Sequence, residues 1–282
     1  MSCVQPNQPE DMALALTRHP WTMAVPPFQV APRVWYVSGQ RWVGCYLIDT
    51  GAGLVLLDTA LAESLYLLID AIYRIGYRPE DIRKILISHG HFDHCGAAGA
   101  LKALSGAELY LSREDWAWIQ AYPEETIAMV PGIHAQAFQP DHFYADNRPV
   151  ALGDVTFHTR LTPGHTPGCT SFFWEMVDRA AGERYRIAMH GGVGTNTMND
   201  EYYAHSRSLT PALRARFLRD AEAMRTIPVD IALPSHPNQR ADFLDKAGSY
   251  ADGYQPYLDR TAWTRFLEER IRLTRATMGE RE

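Results

Sequence analysis

The sequence has few cysteines, no long apolar run and no cluster of basic residues. Its 282 residues include 4 cysteines and no Cys-x-x-Cys pair, which is too few for a disulfide scaffold. No apolar stretch approaches the roughly 18 residues that cross a bilayer. Because 27 Lys and Arg stand against 33 Asp and Glu, for a net charge of −6, neither nucleic acid nor a membrane is an expected partner. We expect a small-molecule substrate, while the oligomeric state stays open.

Two further signals are absent. A secretory signal needs a basic start and about seven or more apolar residues, whereas Glu10 and Asp11 precede the short run from Met12 to Leu16. We therefore expect a cytoplasmic protein, or a periplasmic or secreted one if a leader was removed. The Gly-x-Ser-x-Gly motif of serine hydrolases is missing too, so a catalytic serine of that type is not expected.

Apolar patterning predicts strands and helices in alternation. Strands are predicted at 33–39, 45–50, 54–58, 84–88, 108–111, 150–161 (a hairpin), 170–176, 184–190 and 230–233. Helices are predicted at 61–75, 97–104, 213–224 and 263–274, and Ser112 is a predicted N-cap. Residues 123–148 show no sustained period and are predicted to form a long, functional loop.

The order of these elements repeats along the chain. Residues 20–148 and 149–282 each begin with strands and continue with strands and helices, and the helices would cover the outer faces of the sheets. We therefore predict one α/β (α+β) domain over residues 1–282, a four-layer αβ/βα sandwich with two similar halves.

Histidine is what the chain has in excess, with 11 residues, three of them within six positions. The segment Ser88-His-Gly-His-Phe-Asp-His94 follows a predicted buried strand. On a strand His89 and His91 would point the same way, and a turn into a helix would bring Asp93 and His94 to the same cavity. Imidazole and carboxylate suit zinc. The alternative, a solvated histidine run, is disfavoured because the segment does not lie at a terminus.

Two more histidines lie at predicted strand ends. His165 lies within Thr162-Pro-Gly-His-Thr-Pro-Gly168, and His236 within Leu233-Pro-Ser-His-Pro237. A histidine held between prolines and glycines at the end of a strand is poorly placed to be a core residue. With the central segment present, we interpret both as metal ligands.

Together these motifs resemble the metallo-β-lactamase superfamily over essentially the whole chain, with Asp58 matching its early Leu-Leu-Asp element. Residues 26–28, 164–170 and 235–237 are most similar to the subclass 3 enzymes of the class B β-lactamases. The resemblance implies a first metal held by His89, His91 and His165. It implies a second metal held by Asp93, His94 and His236.

The resemblance also implies a chemistry. Two zinc ions per chain would share a hydroxide, because metal binding lowers the pKa of water to about 7. Asp93 would orient that hydroxide for attack on a cyclic amide, the β-lactam. Two alternatives stay open: the same site acting on a lactone, thioester or other ester or amide, and a zinc-binding scaffold without catalysis.

The sequence departs from the family pattern at one position. Lactone and thioester hydrolases of the superfamily carry a bridging aspartate where this chain has Gly192, which counts against those branches. Subclass 3 enzymes place serines in this stretch, and Gly192 and Gly194 offer no hydroxyl. Thr195 and Asn196 are the candidates to replace them as substrate-binding groups.

Four further residues are candidates for the pocket. His190 is interpreted either as a supporting or acid/base group of the site or as a structural histidine at a strand end. Trp21, Phe143 and Tyr144 lie in irregular or Pro-flanked segments where the family builds its pocket walls, so we predict substrate contacts for them.

Overall fold

Two β-sheets form the centre of the computed structural model, which describes residues 15–127, 133, 137–248 and 253–278. The first sheet contains, in spatial order, β1 (Phe28–Ala31), β2 (Val34–Tyr36), β3 (Tyr46–Asp49), β4 (Leu54–Leu57), β5 (Ile82–Leu86), β6 (Glu108–Leu111) and β7 (His142–Phe143). The second contains, in spatial order, β12 (Ile231–Leu233), β11 (Glu183–Met189), β10 (Thr170–Asp178), β9 (Val155–Leu161) and β8 (Val150–Leu152).

Each sheet contains antiparallel pairs of neighbouring strands on one side and parallel pairs on the other. Neighbours from β1 to β4 and from β8 to β11 are antiparallel. Neighbours from β4 to β7, and the pair β11 and β12, are parallel. Parallel neighbours place their carboxyl ends at the same edge of a sheet, and loops at that edge can converge on one site.

Helices connect and cover the strands. The α-helices are α1 (Leu65–Arg74), α2 (Phe92–Cys95), α3 (Ala98–Ser105), α4 (Arg113–Ala121), α5 (Pro123–Ile127), α6 (Asp200–His205), α7 (Pro211–Met224) and α8 (Ala262–Thr277). Short 3₁₀ turns lie at Pro20–Met23, Ala62–Ser64, Pro79–Asp81, Thr195–Thr197, Pro237–Gln239, Asp245–Gly248 and Gln255–Tyr257. None of the described helices is long and apolar enough to cross a bilayer.

Alternation along the strands produces the layers. In β4, Val55 and Leu57 pack between the sheets. The intervening Leu56 packs on the other face, in a core that includes Leu68 of α1. The outer face of the second sheet is covered in the same way by α7 and α8, which include Phe217. The helices therefore cover the outer face of the first sheet and part of the outer face of the second, where residues of β9 stay exposed. The predicted four-layer α/β sandwich is confirmed.

The elements differ from the sequence prediction in several places, and the strand β1 (Phe28–Ala31) is one that was not predicted. The segment predicted as a loop over 123–148 contains α5 and β7; residues 128–132 and 134–136 of it lie outside the described part. The helix α6 was not predicted, although the side chain of Asn199 accepts a hydrogen bond from the backbone N of Tyr202 at 2.8 Å. An asparagine in that position is a recognisable N-cap.

Candidate metal centre

The histidine-rich loop lies at the carboxyl end of β5. That strand ends at Leu86, and α2 begins at Phe92 directly after the loop. His89, Asp93 and His94 are all buried. The expected turn from strand into helix is therefore present, and it buries polar side chains that need partners.

The first group of candidate ligands is His89, His91 and His165, whose ligand atoms lie within 4.8 Å of one another. Nδ1 of His91 is 3.1 Å from Nε2 of His165. The buried Nε2 of His89 has no hydrogen-bond partner among the described residues. An unpaired, buried imidazole nitrogen beside two other imidazoles fits a metal ion, because an ion would satisfy all three.

The second group is Asp93, His94 and His236. Oδ2 of Asp93 lies 3.8 Å from Nε2 of His94 and 3.6 Å from Nε2 of His236. The two Nε2 atoms are 3.1 Å apart. The ring centroids of His89 and His94 are 3.9 Å apart, so the two groups adjoin. This arrangement fits a pair of neighbouring metal ions.

Burial favours the neutral, metal-binding form of the first group. Burial lowers the pKa of His91 to about 4. It also lowers the pKa of His89 and His165 well below 6.5, and repulsion between neighbouring imidazoles adds to the effect. Ligands must be deprotonated to bind metal, so all three nitrogens are available at neutral pH.

The second group combines opposite charges. Burial alone would raise the pKa of Asp93, but His94 and His236 outweigh it and bring that pKa to about 2. Burial lowers the pKa of His236. The pKa of His94 is raised instead, because Asp93 and Asp58 outweigh its burial. The second group therefore presents an ionised carboxylate to a cation.

Asp58 supports both groups from the end of β4. Its Oδ2 lies 2.8 Å from Nδ1 of His94 and accepts a hydrogen bond from Oγ of Ser88 at 2.7 Å. Oγ of Ser88 in turn lies 3.0 Å from Nδ1 of His89. These contacts at Nδ1 leave Nε2 of each ring for the metal. Sequence reasoning missed Ser88, since a serine after a strand carries no signal of its own.

Two more supporting residues were missed. Nε1 of Trp42 donates a hydrogen bond to Oδ2 of Asp93 at 2.9 Å. Oγ1 of Thr197 lies 2.6 Å from Nδ1 of His165. The contacting residues are 51 and 32 positions apart in the chain. No local pattern could therefore have shown either pair.

The predicted pocket walls lie in different surroundings. Trp21 lies in the turn Pro20–Met23 and is 57% exposed. The ring of Phe143 lies 4.3 Å from the guanidinium of Arg113. The hydroxyl of Tyr144 donates to the backbone carbonyl of Ile87 at 3.1 Å, and the ring packs against the core between the sheets. Among the described contacts, Phe143 and Tyr144 meet these partners rather than the metal ligands, so their contact with substrate stays a prediction.

The residues predicted after β11 differ in their burial and surroundings. Thr195 and the exposed Asn196 form the 3₁₀ turn that ends at Thr197. His190 is buried, and its ring packs against Phe217 with centroids 5.5 Å apart. Burial lowers the pKa of His190 to about 3. The structure does not bring His190 into either ligand group, and a role for it stays a prediction.

Residues 43–179 match the family model described as the metallo-beta-lactamase superfamily. The probable metallo-hydrolase YqgX of Bacillus subtilis is 29% identical over 111 residues, which are 39% of this chain and 51% of that protein. An N-acyl homoserine lactonase of Bacillus cereus is 28% identical over 158 residues, 47% of this chain and 58% of that protein. The matches span little more than half the length of these relatives.

A solved structure shows the same architecture over nearly the whole chain. BJP-1, a subclass B3 metallo-beta-lactamase of Bradyrhizobium japonicum, has a TM-score of 0.80 and 24% identity, and the match covers 92% of this chain and 96% of that one. At this identity the likeness shows the fold. The resemblance seen in the motifs is confirmed: residues 43–179, which include five of the six candidate ligands, match the model of the metallo-beta-lactamase superfamily.

Proposed function

We propose that the protein is a hydrolase that holds two zinc ions per chain and opens the cyclic amide of a β-lactam. The adjoining ligand groups support the metal content, and the fold shared with a subclass B3 enzyme supports the reaction class. Bound zinc would supply a water of lowered pKa and a Lewis acid for the carbonyl oxygen.

Gly192 is the observation that carries the choice of substrate. A Cβ at this position would lie 2.6 Å from Cδ2 of His165 and 2.6 Å from Sγ of Cys169. The backbone is thus packed directly against a first-group ligand, and no side chain fits here unless that ligand moves. The bridging aspartate expected of lactone and thioester hydrolases cannot stand at this position, whereas β-lactamases do not need it.

The remaining chemistry belongs to the side chains of the site. Asp93 stays ionised at neutral pH, since its pKa is about 2, so it can accept a hydrogen bond from the attacking water and orient it. Trp118 packs edge-on against His91 and Trp42 against His236, each with ring centroids 5.4 Å apart. These rings restrict water around the ligands, which strengthens the electrostatic interactions there.

A lactone is the second candidate substrate. The 28% identity to an N-acyl homoserine lactonase favours it, and the missing bridging carboxylate opposes it. A zinc-binding scaffold without turnover is the remaining alternative, and we expect a small molecule rather than a macromolecule as partner.

The test is to purify the protein, count its metals and measure hydrolysis of a chromogenic cephalosporin beside a panel of lactones and thioesters. Two zinc ions with turnover of the cephalosporin alone would support the proposal. Turnover of a lactone or thioester without the cephalosporin would replace it by the second candidate. Two bound zinc ions with no turnover of any of them would favour the scaffold.

Asp93→Ala provides the matched test of mechanism. It should abolish turnover and lower occupancy of the second site, because it removes a ligand and the group that orients water. Asp70→Ala, which removes an exposed carboxylate on α1, should change neither. Turnover retained in Asp93→Ala would show that the proposed mechanism is wrong.

A further inference from the structure

Trp42 makes two separate hydrogen bonds to the second ligand group. Its indole Nε1–H donates to Oδ2 of Asp93 at 2.9 Å. Its backbone carbonyl lies 2.7 Å from Nδ1 of His236. The indole ring also packs edge-on against the His236 ring. One residue outside the ligand set therefore contacts two of the three second-group ligands.

The segment around Trp42 is fixed by buried contacts. The backbone N–H of Trp42 donates to Oε1 of Gln40 at 2.8 Å, and Gln40 is 1% exposed. The hydroxyl of the buried Tyr36 donates to the backbone carbonyl of Val43 at 2.9 Å. This network fixes the backbone that carries the indole, whereas the backbone of an exposed loop would be free to move.

The same segment is attached to the loop that carries His236. The backbone N–H of Gly44 donates to the carbonyl of Ser235 at 2.7 Å. The hydroxyl of Tyr46 donates to the carbonyl of Pro234 at 2.7 Å. Because these contacts join the two loops within four residues of Trp42, its carbonyl has a defined position relative to the imidazole.

The chemistry of the two contacts is complementary. An indole N–H donates only, so it cannot bind a metal itself or compete with one. The indole N–H occupies one lone pair of Asp93 Oδ2. The other lone pair stays available for a metal ion shared with Nε2 of His94 and Nε2 of His236, which this oxygen faces. The carbonyl acceptor places the proton of His236 on Nδ1, so that Nε2 keeps its lone pair toward the site.

We propose that Trp42 is a positioning residue that sets the metal affinity of the second site by fixing the orientation of Asp93 and the tautomer of His236. The proposal rests on the two-metal site of the proposed function and is independent of the substrate. It assigns Trp42 no contact with the reacting atoms.

Trp42→Phe tests the indole contact, because phenylalanine keeps the backbone carbonyl and an aromatic ring but has no N–H donor. Metal-free protein is titrated with Co²⁺ and followed by visible absorption; the band lost in His236→Ala identifies the second site. We expect second-site affinity to fall by about 10- to 100-fold, the usual effect of removing such a support, with first-site affinity unchanged.

Trp263→Phe is the matched control. Its indole donates to the carbonyl of Met224 at 2.8 Å, in the core beneath α7 and α8. It should lower thermal stability and leave both cobalt affinities at wild-type values. If Trp42→Phe misfolds, Trp42 alone is replaced by its benzothiophene analogue. That side chain has the same shape as tryptophan but carries sulfur in place of the N–H.

The outcomes separate this proposal from the function. Wild-type protein that binds two ions, with either Trp42 variant at wild-type second-site affinity, would overturn the role of Trp42 and leave the hydrolase proposal standing. Wild-type protein that binds fewer than two ions would overturn the two-metal site and, with it, both proposals. Equal losses at both sites would also contradict a specific role at the second site.

Discussion

The carboxylate of Asp115 accepts a hydrogen bond from the backbone N–H of Gly168 at 2.5 Å. Its other oxygen accepts from the N–H of Gly90 at 2.7 Å and from the hydroxyl of Thr166 at 2.8 Å. Gly90 lies between two ligands of the first group, and Thr166 follows the third. A single buried side chain of α4 therefore joins the two loops that build the first site, although sequence reasoning gave it no role.

Asp115→Asn should destabilise the metal-free protein most strongly at acidic pH. Burial raises the pKa of Asp115 from 3.8 to about 6, although its three donors oppose the shift. The folded protein thus binds the proton more tightly than the unfolded chain. The stabilisation is full below pH 3.8 and is lost as the pH rises to about 6. The difference in the free energy of unfolding between wild type and Asp115→Asn should therefore shrink by up to about 3 kcal/mol toward pH 7.

Urea unfolding of both metal-free proteins between about pH 4 and pH 7 measures this gap. Subtracting one curve of unfolding free energy against pH from the other removes the contribution of the histidines. They titrate alike in both proteins if the sites are independent. A gap that widens with rising pH would mean that the three donors prevail over burial and that Asp115 is held as the anion.

Gly192→Ala should weaken the first site. The added methyl would meet Cδ2 of His165 and Sγ of Cys169, each at 2.6 Å. Overpacking of this kind costs about 1–3 kcal/mol of stability, and displacing the ring should lower first-site cobalt affinity. Calorimetric melting and the cobalt titration measure the two effects.

Cys169→Ala in the same background separates the two contacts. It removes the sulfur and leaves the imidazole, so it should recover part of the stability and little of the first-site affinity. Full recovery of both would mean that His165 is not constrained by the backbone at Gly192, which would weaken the argument against a bridging carboxylate.

Metal removal should lower thermal stability as well as activity. Without metal, the buried Nε2 of His89 has no partner among the described residues, and neighbouring imidazoles face one another. An ion at about a thousand times its dissociation constant stabilises the folded state by about 4 kcal/mol. Dialysis against a chelator should lower the melting temperature, and added Zn²⁺ should restore it; a melting temperature unaffected by either step would contradict a resident metal.

The sequence predicted the fold and the ligand groups because both leave local signals. The continuous apolar run Leu54-Val-Leu-Leu57 of β4 predicts a strand with two buried faces. The spacing of His89, His91 and Asp93 is visible within a few positions. His165 and His236 were predicted as ligands from their Pro- and Gly-rich strand ends, and the family resemblance assigned each to one of the two groups. The structure brings all of these side chains together.

The supports could not be predicted, because they depend on distant segments meeting in space. Trp42 and Asp115 look like an ordinary aromatic residue near a strand and an ordinary acid in the first turn of a helix. Tyr144 is a different case: an aromatic residue in an irregular segment predicts a pocket wall, and in the structure its hydroxyl donates to the backbone carbonyl of Ile87, just after β5. Its contact with substrate stays a prediction. Irregular sequence does not reveal which way a side chain points.

Thr197→Val should weaken the first metal site and leave the second unchanged. Thr197 is fully buried, and its Oγ1 lies 2.6 Å from Nδ1 of His165. Valine keeps the shape and removes the hydroxyl. Because the carbonyl of Gly194 also lies 3.0 Å from this Nδ1, the ring keeps one partner, and we expect a loss near tenfold, the lower end for such supports.

Cobalt titration measures this loss, with Thr197→Ser, which keeps the hydroxyl, expected near wild-type affinity. Combined with Trp42→Phe, the two losses should add, since each support acts on a different ligand group. A double variant that loses far more or far less than the sum would show that the two sites are coupled, most directly through Asp58, which contacts His94 itself and reaches His89 through Ser88. Additive losses would instead mean that each metal is positioned by its own surroundings.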